Sequence, residues 1–248
     1  MGRYRALLAY DGTDFCGYQR QAAGRSVQGE VEAALGRISN QLDVPVLAAG
    51  RTDSGVHATG QVIAFDLDWV HGAERLCAAL NAHLALDVAV QKVEAVDSGF
   101  HPRFAAKSRR YEYRIYNAAV RVPRTARSQW HAWPELDLGM MQAASRVLVG
   151  RHDFATFGTA PESGGSTVRN VMRADWRADG AELLFEIAAD GFLYRMVRSI
   201  VGSLCQVGWG AWPVGELAKR LAACDRKLSG SAAPAHGLSL VEIGRAHV

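Results

Sequence analysis

The sequence predicts an α+β protein of two tandem ferredoxin-like (RRM-like) halves, each an antiparallel sheet with helices packed on one face. Three observations carry this. Residues 1–105 alternate between the two-residue period of strands and the 3.6-residue period of helices in the order β-α-β-β-α-β. Residues 106–248 run through the same order with one helix added. The halves share no sequence similarity and contain no short repeat, so the repetition is architectural.

The elements follow in order. Residues 3–10 alternate Tyr4, Ala6, Leu8 and Tyr10 with Arg3, Arg5, Leu7 and Ala9, a strand. Asp11-Gly12 turns the chain into the loop DGTDFCGYQRQ. Its Phe15, Tyr18, Gln19, Arg20 and Gln21 suit an RNA surface, or, for Phe15, a small core beneath the loop. Ser26 is an N-cap for a helix with Val27, Val31, Ala34, Leu35 and Ile38 on its apolar stripe. Strands at 44–49 and 62–69 flank a glycine-bounded turn, and a helix at 73–83 and a strand at 88–96 close the first half. In the second, a strand at 110–117 places Tyr111, Tyr113 and Ile115 on one face and Arg110, Glu112, Arg114 and Tyr116 on the other. Asp137 caps a helix that buries Leu138, Met141, Ala144 and Leu148. Strands at 168–177 and 182–189, helices at 193–207 and 214–223, and a strand from 238 complete the chain. The Gly/Ser-rich stretch 158–167, GTAPESGGST, predicts a mobile loop.

Composition narrows the function classes. Apolar content is ordinary for a globular protein, no run approaches a membrane span, and charge interrupts the N-terminus too early for a secretory signal, so the expected location is the cytoplasm. Cys16, Cys77, Cys205 and Cys224 form no C-x-x-C pair and lie at no metal-ligand spacing with His, which predicts reduced thiols and neither zinc nor disulfides. The net charge of +3 is mild. Its distribution is not: residues 101–127 hold eight Lys/Arg against the single acid Glu112. Such a run is a solvated face or a phosphate-binding one; the second reading assigns Arg103, Lys107, Arg109 and Arg110 to RNA.

Three stretches carry chemistry. Residues 50–58, GRTDSGVHA, set Asp53 in a turn between Gly50 and Gly55 with Arg51 and His57 beside it, more than tightness alone requires. Residues 100–117, FHPRFAAKSRRYEYRIYN, lead a basic loop into a tyrosine-rich strand, and interleaved aromatics and cations are what unstacked bases and phosphates need. Residues 192–202, FLYRMVRSIVG, lie on a helix whose stripe is Val197, Ile200, Val201, Leu204 and Cys205, with Arg195, Ser199 and Gln206 opposite. Arg198, at the edge, either reaches solvent or turns inward to pair with a carboxylate.

Together with YDGTDFCGYQRQ these stretches resemble the motifs of the TruA family of tRNA pseudouridine synthases over nearly the whole chain. The resemblance implies the pseudouridine synthase fold and an isomerase that converts uridine to pseudouridine at positions 38, 39 and 40 of the tRNA anticodon stem-loop. It makes Asp53 the catalytic acid, acting on the ribose as nucleophile or base, and Arg198 its salt-bridge partner, which favours the ionised carboxylate. Tyr111 would stack on the target base and assist in proton transfer. Arg51 would fill the place of the extruded uridine, and His57 would steady the loop. The resemblance further implies a homodimer that needs no cofactor or metal.

The chain departs from the family at its end. Residues 237–241 read GLSLV, with Ser239 where an aromatic is common. Residues 242–248, EIGRAHV, match a one-frame translation of a common sequencing adapter, so they are expected to be a non-native tail outside the fold. The main rival reading is a non-catalytic RNA-binding protein of paired RRM-like modules; it lacks support from any K/R-G-F/Y-G/A-F-V-x-F/Y run. A glycosidase would need a second carboxylate in a comparable setting, and only Asp53 stands in one.

Overall fold

The computed structural model describes residues 1–40, 43–162 and 164–245. Its strands are β1 (Gly2–Tyr10), β2 (Leu47–Ala48), β3 (His57–Leu67), β4 (Val88–Val96), β5 (Ala106–Tyr116), β6 (Trp130–His131), β7 (Gly150–Asp153), β8 (Val168–Asp179), β9 (Glu182–Ala189) and β10 (Leu238–Arg245). Its helices are α1 (Val27–Ser39), α2 (Ala73–His83), α3 (Pro102–Ala105), α4 (Leu138–Ser145), α5 (Met196–Gly208) and α6 (Glu216–Ala223). The chain forms two compact units, residues 1–107 with 239–248, and residues 108–238.

In the first unit β1 lies antiparallel between β3 and β4, and β2 pairs with the far side of β3, the 4-1-3-2 strand order of a ferredoxin-like unit. The alternation at Tyr4, Ala6, Leu8 and Tyr10 buries all four, as its period requires. Ser26 caps α1 by accepting from the Gly29 amide at 3.3 Å. Helix α2 packs on β4 and on α1, burying Leu76 and Leu80 against a core that includes Leu8, Val31, Leu35, Ile63 and Leu67.

The second unit orders its main strands β5-β9-β8-β7, each pair antiparallel, with β6 parallel to β5, α4 between the first and second long strands and α5 after the third. Asp137 caps α4 through the Met140 amide at 2.8 Å. Tyr113 and Ile115 of β5 are fully buried. The opposite face of that strand carries Arg110, Glu112 and Arg114, which join Arg173, Asp175 and Glu186 in a lattice of ion pairs.

Several boundaries differ from the sequence reading. The strand expected at 44–49 shrinks to Leu47–Ala48 because Pro45 has no amide hydrogen and the Val46 amide donates to Glu32 Oε1 instead, at 3.2 Å. Trp69 lies beyond β3, its Nε1 donating to Gly72 O. Helix α5 starts at Met196 rather than 193, since Tyr194 exchanges backbone bonds with Thr159, which also pins the start of the 158–167 loop; Ser163 of that loop lies outside the described residues. Residues 239–245 group with the first unit, not with the half that precedes them, through the parallel register of Ser239 with His57 and Leu240 with Ala58. Within the expected tail, β10 continues to Arg245 and Ile243 is buried, so this part belongs to the fold; residues 246–248 lie outside the described ones.

Candidate active site

In the first unit the stretch around Asp53 is built from two loops laid against each other. Residues 53–56 form a tight turn in which the Val56 amide donates to Asp53 O at 3.2 Å and Gly55 takes φ +77°, a left-handed conformation that favours glycine. The residues around Asp53 are committed to holding it there. Thr52 is buried and shares a 2.8 Å hydrogen bond with the Tyr10 hydroxyl, while its carbonyl accepts from the Tyr18 amide. Ser54 Oγ donates to Phe15 O at 3.0 Å. His57 Nδ1 accepts from the Gly12 amide at 3.0 Å, which ties it to the neighbouring loop. Asp11 Oδ1 lies 3.2 Å from the same nitrogen and also accepts from the Thr13 amide and hydroxyl. Gly12 is needed at this crossing, because a Cβ there would stand 2.0 Å from Val56 O.

This packing resolves the reading of the 11–21 loop. Phe15 and Tyr18 are buried beneath it, and the Arg25 guanidinium sits 4.3 Å over the Phe15 ring, so these aromatics serve the loop's own core rather than an RNA surface. Arg20 and Gln21 remain exposed. Asp53 is half-buried and Arg51 exposed.

Burial of Tyr10 has a measurable consequence. It pushes the phenol up from 10.0 to about 12, although bonds from Thr52 and Gln61 act in the other direction. The folded protein therefore holds this proton more tightly than the unfolded chain does. The resulting stabilisation is full below pH 10 and is lost as pH rises from 10 to about 12, a change of about 3 kcal/mol. Urea unfolding followed across that range should show the fall, and Tyr10→Phe should make it smaller; an equal fall in both proteins would remove Tyr10 as a source.

In the second unit Tyr111 on β5 is half-buried and meets the Phe192 ring edge-on, with centroids 5.1 Å apart at 87°. Phe192 lay within the motif FLYRMVRSIVG, but nothing in its spacing marked it as the Tyr111 neighbour. Arg198 lies on the first turn of α5, and its Nε donates to Ala233 O at 2.8 Å. The Ala233 amide returns a bond to Arg198 O at 2.9 Å. Residues 226–234 thereby form a strap along α5. Arg226 reaches Thr156 O and Ser199 Oγ, each at 3.1 Å, and the Gly230 amide reaches Ser203 Oγ at 3.0 Å. Ser199, expected on the outer side of the helix, is fully buried beneath this strap, which the helical period alone could not reveal.

The four basic candidates divide. Arg103 and Lys107 are exposed in the first unit. In the second, Arg109 donates to Asp190 O at 2.8 Å, and Arg110 faces Glu112 and Glu186 at 3.5 and 3.3 Å. These anchors place Arg109 and Arg110 in the sheet's own ion-pair and hydrogen-bond pattern. Among the described residues no group of three or more His, Cys, Asp or Glu is arranged to hold a metal ion, and no helix is long and apolar enough to cross a membrane.

Comparison with known proteins adds the relationship that geometry lacks. A family model described as tRNA pseudouridine synthase matches residues 6–105 and 144–244. The chain is 45% identical over 239 residues to tRNA pseudouridine synthase A of Geobacillus kaustophilus, covering 96% of this chain and 92% of that protein. It is 43% identical over 245 residues to tRNA pseudouridine synthase A of Caulobacter vibrioides, covering 98% and 99%. Among solved structures, an archaeal box H/ACA sRNP Nop10-Cbf5 complex aligns with 81% of this chain and 53% of its own at 12% identity and a TM-score of 0.36, too weak a likeness to add to the sequence relationship.

Proposed function

The chain belongs to the tRNA pseudouridine synthase family, as an isomerase that converts uridine to pseudouridine in tRNA, and on that premise we propose that it acts on positions 38, 39 and 40 of the anticodon arm with Asp53 as the catalytic carboxylate. The observation that carries this reading is the turn at 53–56. Thr52, Ser54 and His57 are all spent on fixing it, which is how a fold presents one carboxylate in a defined position.

The reaction breaks the N1–C1′ bond, turns the uracil and joins C5 to C1′; the proton lost from C5 is balanced by one gained at N1. Asp53 begins it either by attacking C1′ or by taking the C2′ proton; both routes require the anion. Arg198 is assigned the role of keeping that carboxylate ionised, and Tyr111, held edge-on by Phe192, that of stacking on the uracil and helping to remove the C5 proton. Arg51, exposed beside Asp53, suits the gap left by the extruded base, since a uridine must leave its stack to reach the acid. Arg103 and Lys107, both exposed, suit the phosphates. A cytoplasmic homodimer is the expected working form.

The test is an unmodified tRNA transcript with uridines at 38, 39 and 40 and elsewhere, incubated with the protein and mapped for pseudouridine. Product confined to those three positions is expected. Product at other uridines alone would overturn the positional assignment while leaving the chemistry intact. Tight binding without turnover would favour the non-catalytic RNA-binding alternative.

A further inference from the structure

The second unit contains a small cavity that the isomerisation does not use. It lies between the end of β5 and the 3-10 turn at Pro123–Thr125, with a volume of about 180 Å³, below the size of drug-binding sites and suited to a single planar ring system. Tyr116, Trp130 and His131 supply aromatic walls, and Tyr116 and His131 lie with centroids 6.4 Å apart at 35°. His131 donates from Nε2 to Ala118 O at 2.7 Å, which fixes the ring in place. Arg121 also lines the cavity, and Arg121 and Arg124 are both exposed.

Gln129 is a polar residue of the lining. This side chain also lines it, yet is 6% exposed. Its Nε2 donates to Glu182 Oε1 at 2.6 Å, which fixes the amide's orientation, while its Oε1 is buried with no hydrogen-bond partner among the described residues.

Aromatic walls and flanking arginines match one ligand chemistry: a nucleobase that stacks and carries a phosphate outward. We infer that this cavity is an accessory nucleotide site that takes an unpaired base of the tRNA substrate, apart from the uridine that reacts. The inference rests on the tRNA reading above. Stacking on Tyr116 anchors the RNA body, with Arg121 on the adjoining phosphate.

The test uses the full chain with an unmodified tRNA transcript. Hydrogen–deuterium exchange of the wild type should show slower exchange across residues 116–131 when tRNA is added. Tyr116→Leu should raise KM and Kd for tRNA about tenfold with kcat unchanged, the size expected for one stacked base. Arg121→Ala should weaken binding and reduce its salt dependence by about one phosphate contact. An absence of protection, or unchanged KM in Tyr116→Leu, would overturn the site; so would an effect confined to Arg121→Ala, which would mean phosphate contact only. A change in sedimentation of Tyr116→Leu without RNA, in place of a change in affinity, would assign the cavity to self-association and overturn it too. Wild-type turnover, measured alongside, separates failure of this site from failure of the proposed activity.

Discussion

Asp53→Asn is expected to abolish pseudouridine formation, by roughly 10⁴-fold or more, while leaving tRNA binding and folding nearly intact. The substitution keeps the side chain's shape and removes only the anion. What holds the turn is the Val56 amide on the Asp53 carbonyl, a backbone bond, together with the bonds of Thr52, Ser54 and His57. None of these depends on the Asp53 charge. Single-turnover measurement on an unmodified transcript, paired with filter binding, separates chemistry from recognition. Equal turnover in the two proteins would move the catalytic centre away from this loop, and a collapse of binding together with activity would show Asp53 to be structural.

How much of this could be read in advance depended on how local the cause was. Alternation in β1 and the caps at Ser26 and Asp137 arise from neighbours within a few residues, and the structure contains each as the sequence implies. The 44–49 segment failed as a strand for a reason only partly local: Pro45 was visible, but the Glu32 carboxylate that takes the Val46 amide comes from α1. Phe15 and Tyr18 had the right chemistry for RNA and the wrong location, because a loop folded over its own aromatics looks the same in sequence as one that displays them. Ser199 is the sharpest case. A helix period divides residues into inner and outer faces, and α5 has no outer face where the strap crosses it. The family was legible because the spacing of its motifs is specific; the contacts of Phe192 with Tyr111 and of Ala233 with Arg198 come from distant segments and left no periodic trace.

That strap gives the second large effect, at Gly202. A Cβ on this residue would stand 1.8 Å from Ser231 O, with Ala233 N at 3.2 Å, and both neighbours are backbone. No side-chain rotation relieves such a clash; the strap itself must lift. It is tied down along its length by Gly230 to Ser203, by Ala233 in both directions to Arg198, and by the Tyr113 hydroxyl donating to Pro234 O at 2.8 Å. Tyr113 is fully buried, so lifting the strap leaves its hydroxyl without an acceptor. Gly202→Ala is therefore expected to destabilise the protein by about 3 kcal/mol or more, at the upper end for overpacking, because lost hydrogen bonds add to the steric term. Gly99→Ala is the matched control: nothing lies within 4 Å of its added Cβ, and its change should stay within about 0.5 kcal/mol. Urea denaturation of both variants checks the pair. The same displacement would free the Nε of Arg198 from Ala233 O, so residual folded Gly202→Ala should also turn over more slowly than its folded fraction explains. Wild-type stability in Gly202→Ala would mean that the strap is not seated on α5, and turnover in proportion to folded protein would detach Arg198's position from the chemistry.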